Sequence, residues 1–181
     1  TNWPGGIYAS PSMPGTRPGG CISAAWAAMR SMGEDGYMSR AKIAMETAAR
    51  LKDGLNAIEG LSVIGDPHAT IVTYQSTDEA VDIYVVADLL EKKGWSVDRQ
   101  QFPNCIHCTV NANNSERLDE YLADVAEAVQ TARNNPDLAS EGNAAMYGMM
   151  AKVPFRGMVK MSVQKVMESM YGPDGDMPDL S

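Results

Sequence analysis

Three cysteines among 181 residues are too few for a disulfide framework. They fit a reducing compartment, so the cytoplasm, or a face turned toward the cytosol, is the expected location. No apolar run approaches the roughly 18 residues that would mark a membrane span. No basic stretch followed by an apolar core and a cleavage site opens the chain, so no signal peptide is expected. Positive charge is scarce: 15 Lys and Arg against 23 Asp and Glu give a net charge of -8, and no basic cluster interrupts it. That balance excludes a nucleic-acid phosphate backbone as partner. Histidine is scarcer still. His68 and His107 are the two present, and neither has a nucleophile beside it in sequence. An initiating methionine is also missing. The chain opens with TNWPGGIYASP, inside a turn-rich segment, as expected of a processed chain, a fragment or one part of a longer polypeptide.

What is present is enough apolar residue, 44%, for one domain with a sizeable core. Residues 1 to 19 are rich in Gly, Pro and Ser and predict an ordered loop. From Cys21 to Met32 small and apolar residues predominate, and Ala24, Ala25, Ala27 and Ala28 predict a buried helix. After a break at Gly33 to Gly36, Ala44, Ala48, Leu51, Leu55 and Ile58 recur at helical spacing, with Gly60 as the stop. LSVIGD and ATIVTY predict two strands joined around Pro67. Asp82 to Lys93 is again helical, with Ile83, Val86, Ala87 and Leu90 on one stripe. Ser96 to Phe102 and Cys105 to Val110 predict a second strand pair. Ser115 is placed as N-cap of a helix bearing Leu118, Leu122, Val125 and Val129. Val159, Val163, Val166 and Met170 suggest a last helix before an acidic, frayed end. The order implies an α+β fold, with helices layered on a largely antiparallel sheet.

Chemistry-bearing motifs are few. Gly15 to Gly20 satisfies half of a phosphate loop, but Cys21-Ile22-Ser23 stands where a Walker loop needs Lys and Ser or Thr. What remains is a set of backbone amides, the Thr16 hydroxyl and the Arg17 guanidinium near a helix start. An anion cradle and a purely structural turn both fit. Cys105-Ile-His-Cys108 spells C-x-x-C, yet on a strand the period of two sends Cys105 and His107 to one face and Ile106 and Cys108 to the other. The thiols then share neither metal nor disulfide and are expected to be structural. Tyr147, in GNAAMYGMMA, either offers a phenol to a ligand anion or fills the core. The thirteen methionines are expected to be packing residues.

Taken in order, GGIYASPSMPGTRPGG, SAAW, GEDGY, LSVIGDP, VDIYVVADLLEKKGW, QFPNCIH and AMYGM resemble the C-terminal portion of the sphingosine-1-phosphate lyase family. These are pyridoxal-phosphate enzymes of fold type I, in the group that includes glutamate and aromatic amino acid decarboxylases. The resemblance implies a homodimer in which residues 1–33 form an interface loop and helix, 34–171 a small C-terminal α+β domain and 172–181 a flexible tail. It implies that Thr16, helped by the backbone at Gly15, reaches the cofactor phosphate bound by the other subunit, while Arg17 holds the loop. It places Tyr147 toward the substrate phosphate and Tyr8, with a weaker claim, in the same substrate-binding shell. His107 is assigned no catalytic role.

The family's Schiff-base lysine lies upstream of the glycine-rich turn, and none of Lys42, Lys52, Lys92, Lys93, Lys152, Lys160 or Lys165 matches it. No catalytic residue is therefore expected in this chain, and the cofactor-binding domain is expected upstream in the same or a second chain. The activity implied for the whole is retro-aldol cleavage of the C2–C3 bond of a phosphorylated long-chain base, giving a fatty aldehyde and phosphoethanolamine. An amino-acid decarboxylase of the same fold and a non-catalytic partner chain are the alternatives.

Overall fold

The computed structural model describes residues 17–152, together with 161, 164, 165 and 167–169. The chain divides into two units, Thr1–Lys42 and Ile43–Ser181. The described part of the first is helical. It belongs to α1 (Gly19–Ala57), which is interrupted at Gly33, where φ is 64° and ψ is 179°. That backbone is one that glycine reaches without strain, and it realises the predicted break. The expectation of a buried helix over Cys21 to Met32 is corrected. Ile22, Trp26 and Met29 are 61%, 62% and 54% exposed. Burial depends on what packs against a helix, and the alanine pattern reports only a surface that allows close approach.

In the second unit the end of α1 buries Thr47, Ala48, Leu51 and Leu55. Gly60, at φ +92°, follows the helix; a Cβ there would lie 2.8 Å from Arg133 Nη2. That arginine also donates to the Glu59 carbonyl at 3.0 Å and to Asp78 Oδ2 at 2.9 Å, tying the turn to the following helices. Four strands follow: β1 (Leu61–Val63), β2 (Ile71–Ser76), β3 (Asp98–Gln100) and β4 (Cys105–Thr109). All pairings are antiparallel, in the order β1-β2-β4-β3. Both predicted strand pairs form, and β2 and β4 join them at the centre. The second pair is shorter than predicted: β3 stops at Gln100, and Phe102 lies at φ 59°.

The register puts Leu61, Val63, Val72, Tyr74, Arg99, Ile106 and Cys108 on one face of the sheet. Helices α2 (Ile83–Lys92), α3 (Leu118–Asn134) and α4 (Gly142–Lys152) complete the layer that encloses the core. On the other face Ile71 is exposed and Thr73, Gln75 and His107 are half-buried. Helix α2 begins where predicted, because the Asp82 side chain accepts from the Tyr84 amide at 2.7 Å.

The N-cap assigned to Ser115 is corrected. A 3₁₀ helix, Ala112–Arg117, precedes α3 and is opened by a reciprocal capping box between Asn111 and Asn114. Ser115 lies within it and donates to the Ala112 carbonyl at 2.9 Å. A hydroxyl engaged backward in this way does not cap a helix start. A second 3₁₀ turn, Pro136–Ser140, leads into α4. Of the suggested last helix, Val159, Val163, Val166 and Met170 lie outside the described residues.

Candidate functional site

Tyr147 lies on α4, and the elements around it explain why that helix starts where it does. Gly142 has φ +55°, and a Cβ on it would approach Asp88 Oδ2 to 2.9 Å. Glycine therefore lets the helix start press against α2. That carboxylate oxygen accepts the Ala144 amide at 2.9 Å, so a residue 56 positions away performs the work of an N-cap.

The other Asp88 oxygen accepts from Arg99 Nη2 at 2.5 Å. Arg99 also grips Glu91 with both terminal nitrogens, Nη1 to Oε1 at 2.6 Å and Nη2 to Oε2 at 2.8 Å. Asp88 and Glu91 sit three residues apart on α2, and the guanidinium fork bridges them from β3. The Arg99 side chain is 5% exposed. Its Nε–H is buried without a hydrogen-bond partner among the described residues. Hydrogen bonding from Arg99, ahead of its charge, lowers the Glu91 carboxyl pKa, and the bond to Glu91 raises that of Arg99 in turn.

Tyr147 completes the cluster. Arg99 Cζ lies 5.7 Å from the centre of its ring. The Tyr84 ring lies 5.4 Å away at 42°, and the Tyr84 hydroxyl donates to the Gln100 carbonyl at 2.8 Å. Gln101 Nε2 donates to the Tyr147 carbonyl at 3.3 Å. Tyr147 is half-buried and packs against the core. The expectation that Tyr147 packs into the core is met, with its ring and its carbonyl held on several sides.

Tyr8, Gly15 and Thr16 lie outside the described residues, and Arg17 is exposed. His68 is exposed in the connection between β1 and β2. His107 Nδ1 lies 3.9 Å from Asp98 Oδ2. The two thiols of C-x-x-C diverge as expected. Cys105 Sγ lies 3.7 Å from Gln100 Oε1, whereas Cys108 Sγ lies 3.5 Å from the Tyr121 hydroxyl. Burial raises both thiol pKa values, that of Cys108 to about 11. Among the described residues no group of three or more His, Cys, Asp or Glu is arranged to hold a metal. Lys52 is hydrogen-bonded to the Pro67 carbonyl, and Lys93 is paired with Asp124 and Glu127 at 2.6 Å each.

The Arg99 cluster is the part that inspection of the sequence missed. Its signal was nonetheless present: over the predicted strand Ser96 to Phe102 the period of two puts Arg99 in line with Val97, which packs against the core. Asp88 and Glu91, one turn apart on the neighbouring helix, supply its counter-charges.

No family model matches the chain. It is 42% identical over 171 residues to the sphingosine-1-phosphate lyase of Arabidopsis thaliana, an alignment covering 94% of this chain and 31% of that protein. It is 37% identical over 175 residues to sphingosine-1-phosphate lyase 1 of Rattus norvegicus, covering 96% of this chain and 30% of that protein. Among solved structures, the sphingosine-1-phosphate lyase of Burkholderia pseudomallei superposes with a TM-score of 0.71 at 30% identity, over 98% of this chain and 34% of that one. The chain thus spans about a third of the length of the relatives it matches. Along nearly all of its length the chain is thus similar to sphingosine-1-phosphate lyases, matching their C-terminal part.

Proposed function

We propose that this chain serves in a pyridoxal-phosphate-dependent lyase that cleaves sphingosine 1-phosphate, or a related phosphorylated long-chain base, to a fatty aldehyde and phosphoethanolamine. The observation that carries the reading is the 42% identity to a sphingosine-1-phosphate lyase along 94% of the chain. In the cleavage a base takes the C3 hydroxyl proton, the C2–C3 bond breaks as the aldehyde forms, and C2 regains a proton. Pyridoxal phosphate, when bound, supplies the sink for the electron pair left on C2.

This chain's own part is binding and orientation. Tyr147 donates its phenol to the substrate phosphate, a contact that avoids burying a further charge. Tyr8 contributes to the same substrate shell. The Thr16 hydroxyl and the amides around Gly15 form a donor set suited to a phosphate dianion, and in a homodimer they serve the cofactor phosphate of the other subunit. Residues 1–33 form that interface, 34–171 form the small domain and 172–181 a tail. Cleavage takes place in the cytoplasm or on a face turned toward the cytosol. No helix among the described residues is long and apolar enough to cross a membrane.

The test is to assay the full-length protein that carries this segment, loaded with cofactor, for aldehyde and phosphoethanolamine released from sphingosine 1-phosphate. Release of both in equal amounts supports the reading. Carbon dioxide released from an amino acid, with the phosphorylated base left intact, would refute it.

A further inference from the structure

Resting on that reading of Tyr147, we propose that Arg99 is a positioning residue for substrate binding: the Asp88, Arg99 and Glu91 cluster sets how α4 offers the Tyr147 phenol to the substrate phosphate. Several holds on α4 converge through this one cluster. Asp88 accepts the Ala144 amide at the start of the helix while it binds Arg99. Glu91, gripped by the same guanidinium, lies 3.4 Å from Asn143 Nδ2 at the head of α4. The guanidinium itself lies against the Tyr147 ring. Gln101, two residues along the chain from Arg99, holds the Tyr147 carbonyl.

An ion cluster is a poor choice if stability is all that the fold requires. Apolar residues of similar volume commonly stabilise as well or better, and here a buried Nε–H goes without a partner. What the fork supplies instead is geometry. Two hydrogen bonds to Glu91 and a third to Asp88 fix the guanidinium, whose Cζ then lies over the tyrosine ring, 5.7 Å from its centre. Arg99→Lys keeps the charge but removes both the fork and the flat face.

The experiment is steady-state kinetics on sphingosine 1-phosphate with the full-length, cofactor-loaded enzyme, comparing Y147F, R99K and the R99K/Y147F double variant. Each single variant is expected to raise KM about tenfold with kcat nearly unchanged, the signature of lost uniform binding. The double variant is expected to be no worse than either single one, because both remove the same contact. A KM left unchanged by Y147F overturns the Tyr147 assignment and, with it, the role of Arg99. A KM raised by Y147F but unmoved by R99K overturns the positioning role alone. So do effects that multiply in the double variant, which would mark Arg99 as merely structural. Should R99K give no soluble enzyme, D88N replaces it with the same expectations: its amide keeps an acceptor for Ala144 and loses the charge that holds Arg99.

Discussion

The Tyr74 hydroxyl on β2 meets the Tyr121 hydroxyl on α3 at 2.8 Å, deep in the core, where Tyr74 is 0% and Tyr121 8% exposed. Replacing either by phenylalanine removes the bond and leaves one hydroxyl stranded, a loss of about 1–3 kcal/mol. The two changes are not equivalent. The Tyr121 hydroxyl also reaches the Cys108 thiol at 3.5 Å, whereas Tyr121 is the one hydrogen-bond partner seen for the Tyr74 hydroxyl among the described residues. Tyr121→Phe therefore orphans a buried phenol completely and belongs near the upper end of that range. Tyr74→Phe leaves Tyr121 with a weak sulfur partner and belongs near the lower end. The double variant replaces both by apolar rings of the same shape, and its loss is expected to fall clearly short of the sum. Hydrogen exchange of the β2 amides in the full-length protein reads these differences as faster local opening, roughly 5-fold per 1 kcal/mol. Equal losses for the two single variants, or strict additivity in the double, would refute the pairing argument.

Three further outcomes follow from the same structure. Leu55→Ala, at a side chain with 0% exposure, should destabilise this unit by about 2–5 kcal/mol, read in the same exchange experiment. Above about pH 10, where the unfolded tyrosines ionise, stability should fall as pH rises. Burial raises the Tyr74 and Tyr121 pKa values well above that value and Tyr84 to about 12, so the unfolded chain holds fewer protons there than the folded one. Denaturant midpoints that stay level from pH 9 to 11 would contradict this. Thr16→Ala in the full-length enzyme should weaken retention of pyridoxal phosphate more than it alters turnover at saturating cofactor; an unchanged cofactor dissociation constant would count against that residue as a phosphate ligand.

Local spacing made the elements legible. Helix α2 could be read from Ile83, Val86, Ala87 and Leu90 with Asp82 ahead of them, since cap and stripe both lie within one segment. The opposite facing of Cys105 and Cys108 likewise followed from the two-residue period of a strand. Where contacts join distant segments, the reading stopped. The central pairing of β2 with β4 links residues more than 30 positions apart, and either predicted strand pair is compatible with several sheet orders. Ser115 misled because its neighbours Asn111 and Asn114 claim the helix start between them, and only the folded backbone shows which side chain wins.

The candidate site divides in the same way. Sequence by itself determined that Tyr147 is a phenol between small residues in a segment resembling a lyase family, that the thiols diverge, and that an α+β layer forms. These depend on residue type and short-range period. Only the tertiary structure decided that Asp88 on α2 starts α4, that Arg99 on β3 grips Asp88 and Glu91, and that its guanidinium lies against Tyr147. Those partners are brought together from segments up to 56 residues apart. A buried charge is tolerable only once its counter-charges arrive, and packing rather than local preference brings them there.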